Sequence, residues 1–243
     1  MQVAEGKRFV AFFDILGFES WVESDGSKEV FTYVRGFLNL MIRSSLPGSV
    51  VYPDMSVDLV ESAIGYINFS DSIVFYSRDD SYDCLKTMLV VCGEFMNIVI
   101  CGPSRMIRGA LAHGDFYADP ASNAYVGQGL IDAYRLEGMQ EWLAFSLDHS
   151  VEALPQFEHA LMEHPGYIVR PLVPLRNSTG KPYCINWANK KYIGPEFNAM
   201  RSLLDCYRRG LKALRGNPSE REKLRRRIRF TSDFLVHYNG QDA

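Results

Sequence analysis

No apolar run in this chain reaches the length of a membrane span, so the pattern does not ask for a bilayer. The opening residues, MQVAEGKR, lack the charged-then-apolar build of a signal peptide. No internal repeat and no low-complexity segment is present, which leaves a globular architecture. The five cysteines (Cys84, Cys92, Cys101, Cys184 and Cys206) are odd in number and lack metal-ligand spacing. They read as reduced thiols of a cytosolic protein, with Cys92 in the core. Positive charge is not in excess: 26 Lys and Arg against 29 Asp and Glu leave a net charge of −3, which argues against nucleic acid as the main partner. What is there is ordinary for a globular protein. The 243 residues are 47% hydrophobic and 23% charged, enough for one large domain or a domain with an appendage.

The most informative stretch is Arg8–Phe18, RFVAFFDILGF. Val10 to Phe13 is a short continuous apolar run, the pattern of a strand buried on both faces. Asp14 ends the run and Gly17 lets the chain turn. An unpaired carboxylate beside so much apolar surface costs several kcal/mol or takes up a proton. Two readings stand at this point: a cap for the following helix, or a ligand for a hard cation.

Farther on, apolar residues from Val30 to Met41 recur at helical spacing and predict an amphipathic helix over 27–45, broken at Pro47-Gly48. Ser62–Tyr76 reads as a hairpin turning at Ser70-Asp71-Ser72, where Asp71 is a turn aspartate or a second site carboxylate. Tyr82–Cys101 is apolar almost all round, as in a buried helix. Met106–Tyr117 is a strand whose Gly109 and Gly114 demand a close-approach reason. A polar loop follows over 119–126, then a helix over 127–142, a strand over 143–147, a helix over 151–163 and two strands over 167–175 and 183–187 joined by a turn over 177–180. From Pro195 the chain is helical and basic, with Asn217 an N-cap, Pro218 at the first helical position and Glu220 at the third. The basic run near Arg221–Arg229 is interrupted by Glu222 and lacks interleaved aromatics, so it reads as a solvated face or a brace and not as a nucleic-acid platform.

The order through Leu147 is strand, helices, hairpin, buried helix, strand, helix, strand. This is an extended ferredoxin-like βαββαβ arrangement, fold class α+β, over 1–194, with a basic helical appendage over 195–243. In it the end of the first strand lies beside the hairpin, so Asp14 and Asp71 face one point. Two carboxylates so placed repel unless a positive charge lies between them.

These residues resemble the class III nucleotidyl cyclase catalytic domain. Its first-strand motif F-x-D-I-x-G-F stands as Phe12-Phe13-Asp14-Ile15-Leu16-Gly17-Phe18, and its hairpin motif as Phe69-Ser70-Asp71. The strand motif R-x-G-x-H-x-G stands as Arg108-Gly109-Ala110-Leu111-Ala112-His113-Gly114, one residue longer. The helix motif N-x-A-x-R-L-E stands as Ile131-Asp132-Ala133-Tyr134-Arg135-Leu136-Glu137. The departures matter. The charged residues that read a purine edge fall here near Ile67 and Ala124, and the family's asparagine is Ile131. A pocket without those groups would not favour adenine or guanine. The sequence looks most like the pyrimidine cyclases of bacterial Pycsar anti-phage systems.

The resemblance implies conversion of UTP, or second CTP, to the 3′,5′-cyclic monophosphate and pyrophosphate, the product being sensed by a separate effector protein. It implies two Mg²⁺ or Mn²⁺ ions held by Asp14, Asp71 and the Ile15 carbonyl, with Arg135 stabilising the transition state. Ile15, Gly17 and Phe18 would line the triphosphate, Lys181 could reach it, and Tyr66 and Asn68 could read the base. Strand alternation, however, puts Tyr66 and Asn68 on the face opposite Ile67. It further implies a cytoplasmic homodimer with shared active sites and neither nucleic acid nor membrane as partner. His113 reads as a packed strand histidine. The competing reading is a cyclase-like nucleotide-binding module without activity, favoured by the missing asparagine. A diguanylate-cyclase or polymerase-palm relative would share the core but not the hairpin motif.

Overall fold

The apolar run from Phe9 to Phe13 serves two cores at once. Phe9, Ala11, Phe13 and Ile15 join a large cluster on one side, and Val10 and Phe12 a smaller one on the other. That is why no polar residue alternates there. The structure is a computed structural model that describes residues 3–44, 46, 50–51, 57–58, 64–171, 175–176, 180–189, 198–214 and 217–239. In chain order its elements are β1 (Lys7–Ile15), α1 (Phe18–Asp25), α2 (Ser27–Tyr33), a π-helical turn (Val34–Leu38), α3 (Asn39–Ser44), β2 (Val50–Val51), β3 (Val57–Asp58), β4 (Ile64–Phe69), β5 (Ser72–Ser77), α4 (Tyr82–Cys101), β6 (Ile107–Asp115), β7 (Tyr117–Asp119), β8 (Ala124–Val126), α5 (Gln128–Met139), β9 (Phe145–Leu147), α6 (His149–Glu152), α7 (Pro155–Glu163), β10 (Ile168–Val169), β11 (Cys184–Ile185), α8 (Ala199–Ala213) and α9 (Pro218–Asn239).

The main sheet has seven strands in the order β10-β11-β9-β6-β1-β5-β4. Strand β1 is antiparallel to both β5 and β6, β5 is antiparallel to β4, and β6 runs parallel to β9. The four strands β6-β1-β5-β4 therefore form the ferredoxin-like split βαβ pattern, in a mixed α+β sheet extended beyond β6. One face is covered by α4, whose apolar residues pack on Phe13, Phe75 and Phe145. The Phe13 ring lies 5.0 Å from Phe95 and 4.9 Å from Phe145. Gly109 is what admits this packing, since a Cβ there would lie 2.6 Å from the Phe13 ring and 2.8 Å from the Phe12 carbonyl. Helix α5 covers the other face. It lies on bare backbone, because a Cβ on Gly114 would come within 3.0 Å of the Gly129 nitrogen. Both glycines thus have the close-approach reason their strand position demanded.

Several local expectations change. The helix over 27–45 is interrupted by the π-helical turn, and the loop over 119–126 is a small hairpin, β7 with β8. The helix over 151–163 is two short ones, parted at Leu154-Pro155, and the late strands shrink to two residues each. Helix α4 has the length and apolarity of a membrane span, contrary to the reading that no run does; it is the central core helix, buried along most of its length. Pro47-Gly48, the turn over 177–179 and the 194/195 boundary lie outside the described residues. Helices α8 and α9 are the expected C-terminal pair. The Glu220 N–H donates to the Asn217 side chain at 3.2 Å, which makes Asn217 the cap of α9. Their buried residues Leu203, Cys206, Phe234 and Leu235 belong to the main core, so the pair is packed into the sheet domain.

Candidate active site

Strand register decides which residues meet at the end of β1. Asp14 stands opposite Ser72 of β5 on one side and opposite Arg108 of β6 on the other. By alternation all three share the α5 face with Val10 and Phe12. The hairpin tip closes on this end: the Ile15 N–H donates to the Asp71 carbonyl at 3.0 Å, and the Leu16 N–H to the Met106 carbonyl at 2.9 Å. Gly17 then turns with φ 77°, a left-handed conformation, and starts α1 with Phe18 at its first position. Ser70 takes φ 58° and brings Asp71 round to the β1 end.

Asp14 is half-buried, and its carboxyl is held above the ordinary carboxylate value. Burial is the main cause and the Asp71 carboxylate the second; Arg108 and Arg227 pull the other way. The Asp71 carboxylate thus acts on Asp14. Among the described residues no group of three or more His, Cys, Asp or Glu side chains gathers as a metal site; Glu137, the other carboxylate lining the cleft, is paired with Arg108. A pair of hard carboxylate oxygens that repel one another, with Arg108 and Arg227 offsetting part of that repulsion, fits a hard divalent cation.

An open cleft of ≈ 440 Å³ lies over Asp14, lined by Phe12, Asp14, Ser72, Arg108, Tyr134, Arg135, Glu137 and Gly138. Arg135 is mostly exposed, 3.9 Å from Asp132 on its own helix. One chain therefore presents Asp14 and Arg135 to one cleft.

The inner wall is a buried polar network that sequence reasoning left without a role. The Arg108 Nε donates to the Glu137 carboxylate, and its Nη1 donates to the Gln140 carbonyl at 2.6 Å. The Gln140 side chain donates to the Gly109 carbonyl and accepts from the Ser146 hydroxyl, each at 2.8 Å. Glu137 is 3% exposed, and burial lifts its carboxyl to about 7 against the pull of Arg108. The signal in the sequence was an arginine in an otherwise apolar strand, which needs a buried partner.

Other proposed site residues fall elsewhere. Ile67 packs with Val10, Phe12 and Val74 on the α5 face, whereas Tyr66 packs against the α4-side core. Alternation puts Asn68 with Tyr66, and its Oδ1 is buried without a hydrogen-bond partner among the described residues. Tyr66 and Asn68 therefore do not face the cleft. Lys181 is exposed at the opposite end of the sheet. The neighbouring Tyr183 accepts from the Leu147 N–H at 2.8 Å and donates its own N–H to Glu152, beyond the end of β9 farthest from Asp14. His113 sits 5.1 Å from the Phe9 ring and 3.4 Å from Asp80. Ile131, where the resemblance would place asparagine, is exposed on α5.

The sequence matches no protein-family model, and no curated protein matches it significantly. Solved structures do match. The catalytic core of a rhodopsin-guanylyl cyclase with converted specificity, in complex with ATPαS, superposes with a TM-score of 0.51 at 15% identity, covering 76% of this chain and 98% of that one. The adenylyl cyclase CyaB from P. aeruginosa gives a TM-score of 0.47 at 12% identity, covering 76% of this chain and 96% of that one. The fold is that of a class III nucleotidyl cyclase domain. Within this cyclase fold Asp14, Asp71 and Arg108 mark one end of the sheet, and Arg135 reaches over it from α5.

Proposed function

We propose that this cyclase-fold chain is a nucleotidyl cyclase acting on a pyrimidine nucleoside triphosphate, UTP before CTP. One observation carries the reading: Asp14, which lines a cleft that also holds two arginines, feels the carboxylate of Asp71 from a different element. Such an arrangement stabilises the apoprotein poorly, and it suits a polyanion delivered with divalent cations. Asp14, Asp71 and the Ile15 carbonyl would hold Mg²⁺ or Mn²⁺, which supplies a lowered pKa for the ribose hydroxyl and charge neutralisation for the triphosphate.

In the reaction the ribose 3′-oxygen attacks the α-phosphorus, the bond to the bridging oxygen breaks, and pyrophosphate leaves with that electron pair. Arg135, exposed at the mouth, stabilises charge growing on the α-phosphoryl oxygens. Arg108, clamped by Glu137 and Gln140, offers a fixed positive charge at the wall. Ile67, apolar and on the α5 face, stands where the resemblance would place a charged purine-reading residue, which argues against a purine substrate. The five free cysteines fit a cytosolic enzyme. A role as signal synthase in anti-phage defence, with a separate effector for the product, follows from the sequence resemblance.

The test is incubation of purified protein with each of the four ribonucleoside triphosphates and Mn²⁺, with products resolved by chromatography and mass. We expect a cyclic pyrimidine monophosphate that disappears in Asp71→Ala. A cyclic purine product overturns the base assignment. Nucleotide binding with no product under any condition, infected-cell lysate included, favours the inactive module, for which Ile131 is the structural argument.

A further inference from the structure

Beside its charged end the cleft has an apolar corner that the chemistry above leaves unused. Strand register sets the two next to each other. Ser72, Asp14 and Arg108 form one row across β5, β1 and β6. Two residues back along β1, on the same face, Ile67, Val74, Phe12 and Ala110 form the next row across β4, β5, β1 and β6. The rows are about 7 Å apart, so charge and apolar surface lie one short step from each other.

Helix α5 packs on β1 and β6 and stands Tyr134 over the apolar row. The Tyr134 and Phe12 ring centroids are 5.2 Å apart, with the ring planes at 88°. Phe12 is 9% exposed and belongs to the floor of the cleft; Tyr134 is 59% exposed and makes a wall. The Tyr134 hydroxyl makes no hydrogen bond among the described residues, so what this side chain offers is its ring. Its place sets it apart from the other exposed apolar residues nearby. Phe69 and Ile131 are not part of the cleft lining, whereas Tyr134 shares the cleft with Asp14, Arg108 and Arg135.

Tyr134 and Arg135 are consecutive and leave α5 about 100° apart, yet both reach this one cleft. A ligand can therefore meet the ring with one part and the guanidinium with another. That pairing suits a molecule with a flat, weakly polar ring at one end and anionic groups at the other. We infer that Tyr134 is a base-stacking residue: its ring takes one face of the nucleobase of the bound triphosphate, above the floor that Phe12 helps to form, while the phosphates lie along the polar row. This rests on the nucleoside triphosphate reading above. Every base has a π face, and stacking reads no ring edge. Tyr134 therefore supplies affinity and not the choice between uracil and cytosine.

The test uses the full chain with Mg²⁺ and ligands that do not turn over. 3′-Deoxyuridine triphosphate, 3′-deoxycytidine triphosphate and inorganic tripolyphosphate are titrated calorimetrically into wild type, Tyr134→Leu and Tyr134→Phe, and the mass of each protein is followed by light scattering. Leucine keeps apolar bulk without a π face. Tyr134→Leu should weaken both nucleotides about tenfold, by the same factor, and leave tripolyphosphate and the mass unchanged. Tyr134→Phe should stay within about twofold of wild type, because the ring is kept. An equal loss of tripolyphosphate overturns the inference, since it marks a general disturbance of the cleft. A nucleotide loss that comes with a change of mass also overturns it, and places Tyr134 in a contact between copies. Wild-type protein that holds the nucleotides no better than tripolyphosphate overturns the nucleotide reading and the inference with it. Wild type that prefers the nucleotides, with that preference kept in Tyr134→Leu, overturns the inference alone.

Discussion

At the scale of single residues, Asp14 shows what this site costs the molecule. Its carboxyl is held above the ordinary value of 3.8, so the folded chain binds that proton more tightly than the unfolded chain does. The sign follows: the contribution of Asp14 to stability is most favourable below its unfolded pKa and is lost as pH rises through the raised native value. Asp14→Asn removes this slope. In thermal melts without metal, the variant should overtake wild type as pH rises from about 4, by on the order of 1 kcal/mol near neutrality. Added Mn²⁺ should stabilise wild type and not the variant; equal stabilisation of both would remove Asp14 from the metal set. Asp14 and Arg135, which line one cleft, could be singled out in the sequence because each stands in a recognisable local pattern. Arg108 and Glu137 were not assigned a role. Their partnership joins residues 29 apart in the chain, and only the register of β6 under α5 brings them together. The Tyr66 and Asn68 assignments failed on side-chain parity, which the strand pattern already contained and which the packing of Ile67 under α5 decides.

At the scale of elements, the cleft depends on how closely α5 lies on β6. The Gly114–Gly129 contact leaves no side chain between helix and strand. Gly114→Ala should push the helix outward, cost about 1–3 kcal/mol in urea unfolding, and carry Arg135 away from Asp14. Turnover should fall more than stability does. A variant that loses stability while keeping full turnover would show that Arg135 need not be held at this distance. Long apolar periodicities such as α4 were readable because twenty residues of one pattern outvote local noise. The short elements were not. Strands β10 and β11 are two residues each and exist because β9 offers them an edge, which is a tertiary fact. The β7–β8 hairpin is likewise held from outside, by the Ala4–Ala118 bridge.

At the scale of the whole molecule, Phe69 and Ile131 are exposed large apolar residues carried by the hairpin and by α5. The sequence resemblance implies a homodimer, in which exposed apolar residues of this kind would be candidates for cover by a second copy. Mixing Asp14→Ala with Arg135→Ala chains, each inactive alone, should restore up to about a quarter of wild-type activity if sites are shared between chains and assembly is random. No recovery would assign each site to one chain, as the single-chain cleft allows. The βαββαβ order was readable from the succession of elements. The place of the C-terminal helices was not, because their basic composition suggested a solvated appendage while four of their apolar residues join the central core. That placement has a consequence in time. The Leu143 N–H, just past the wall of the cleft, donates to the Thr231 hydroxyl across 88 residues, so at ribosomal rates of about 5–20 residues per second that wall stands unsupported for roughly 4–18 s after it is made. The nascent chain is therefore expected to complete this wall only when α9 has been made and docks on it.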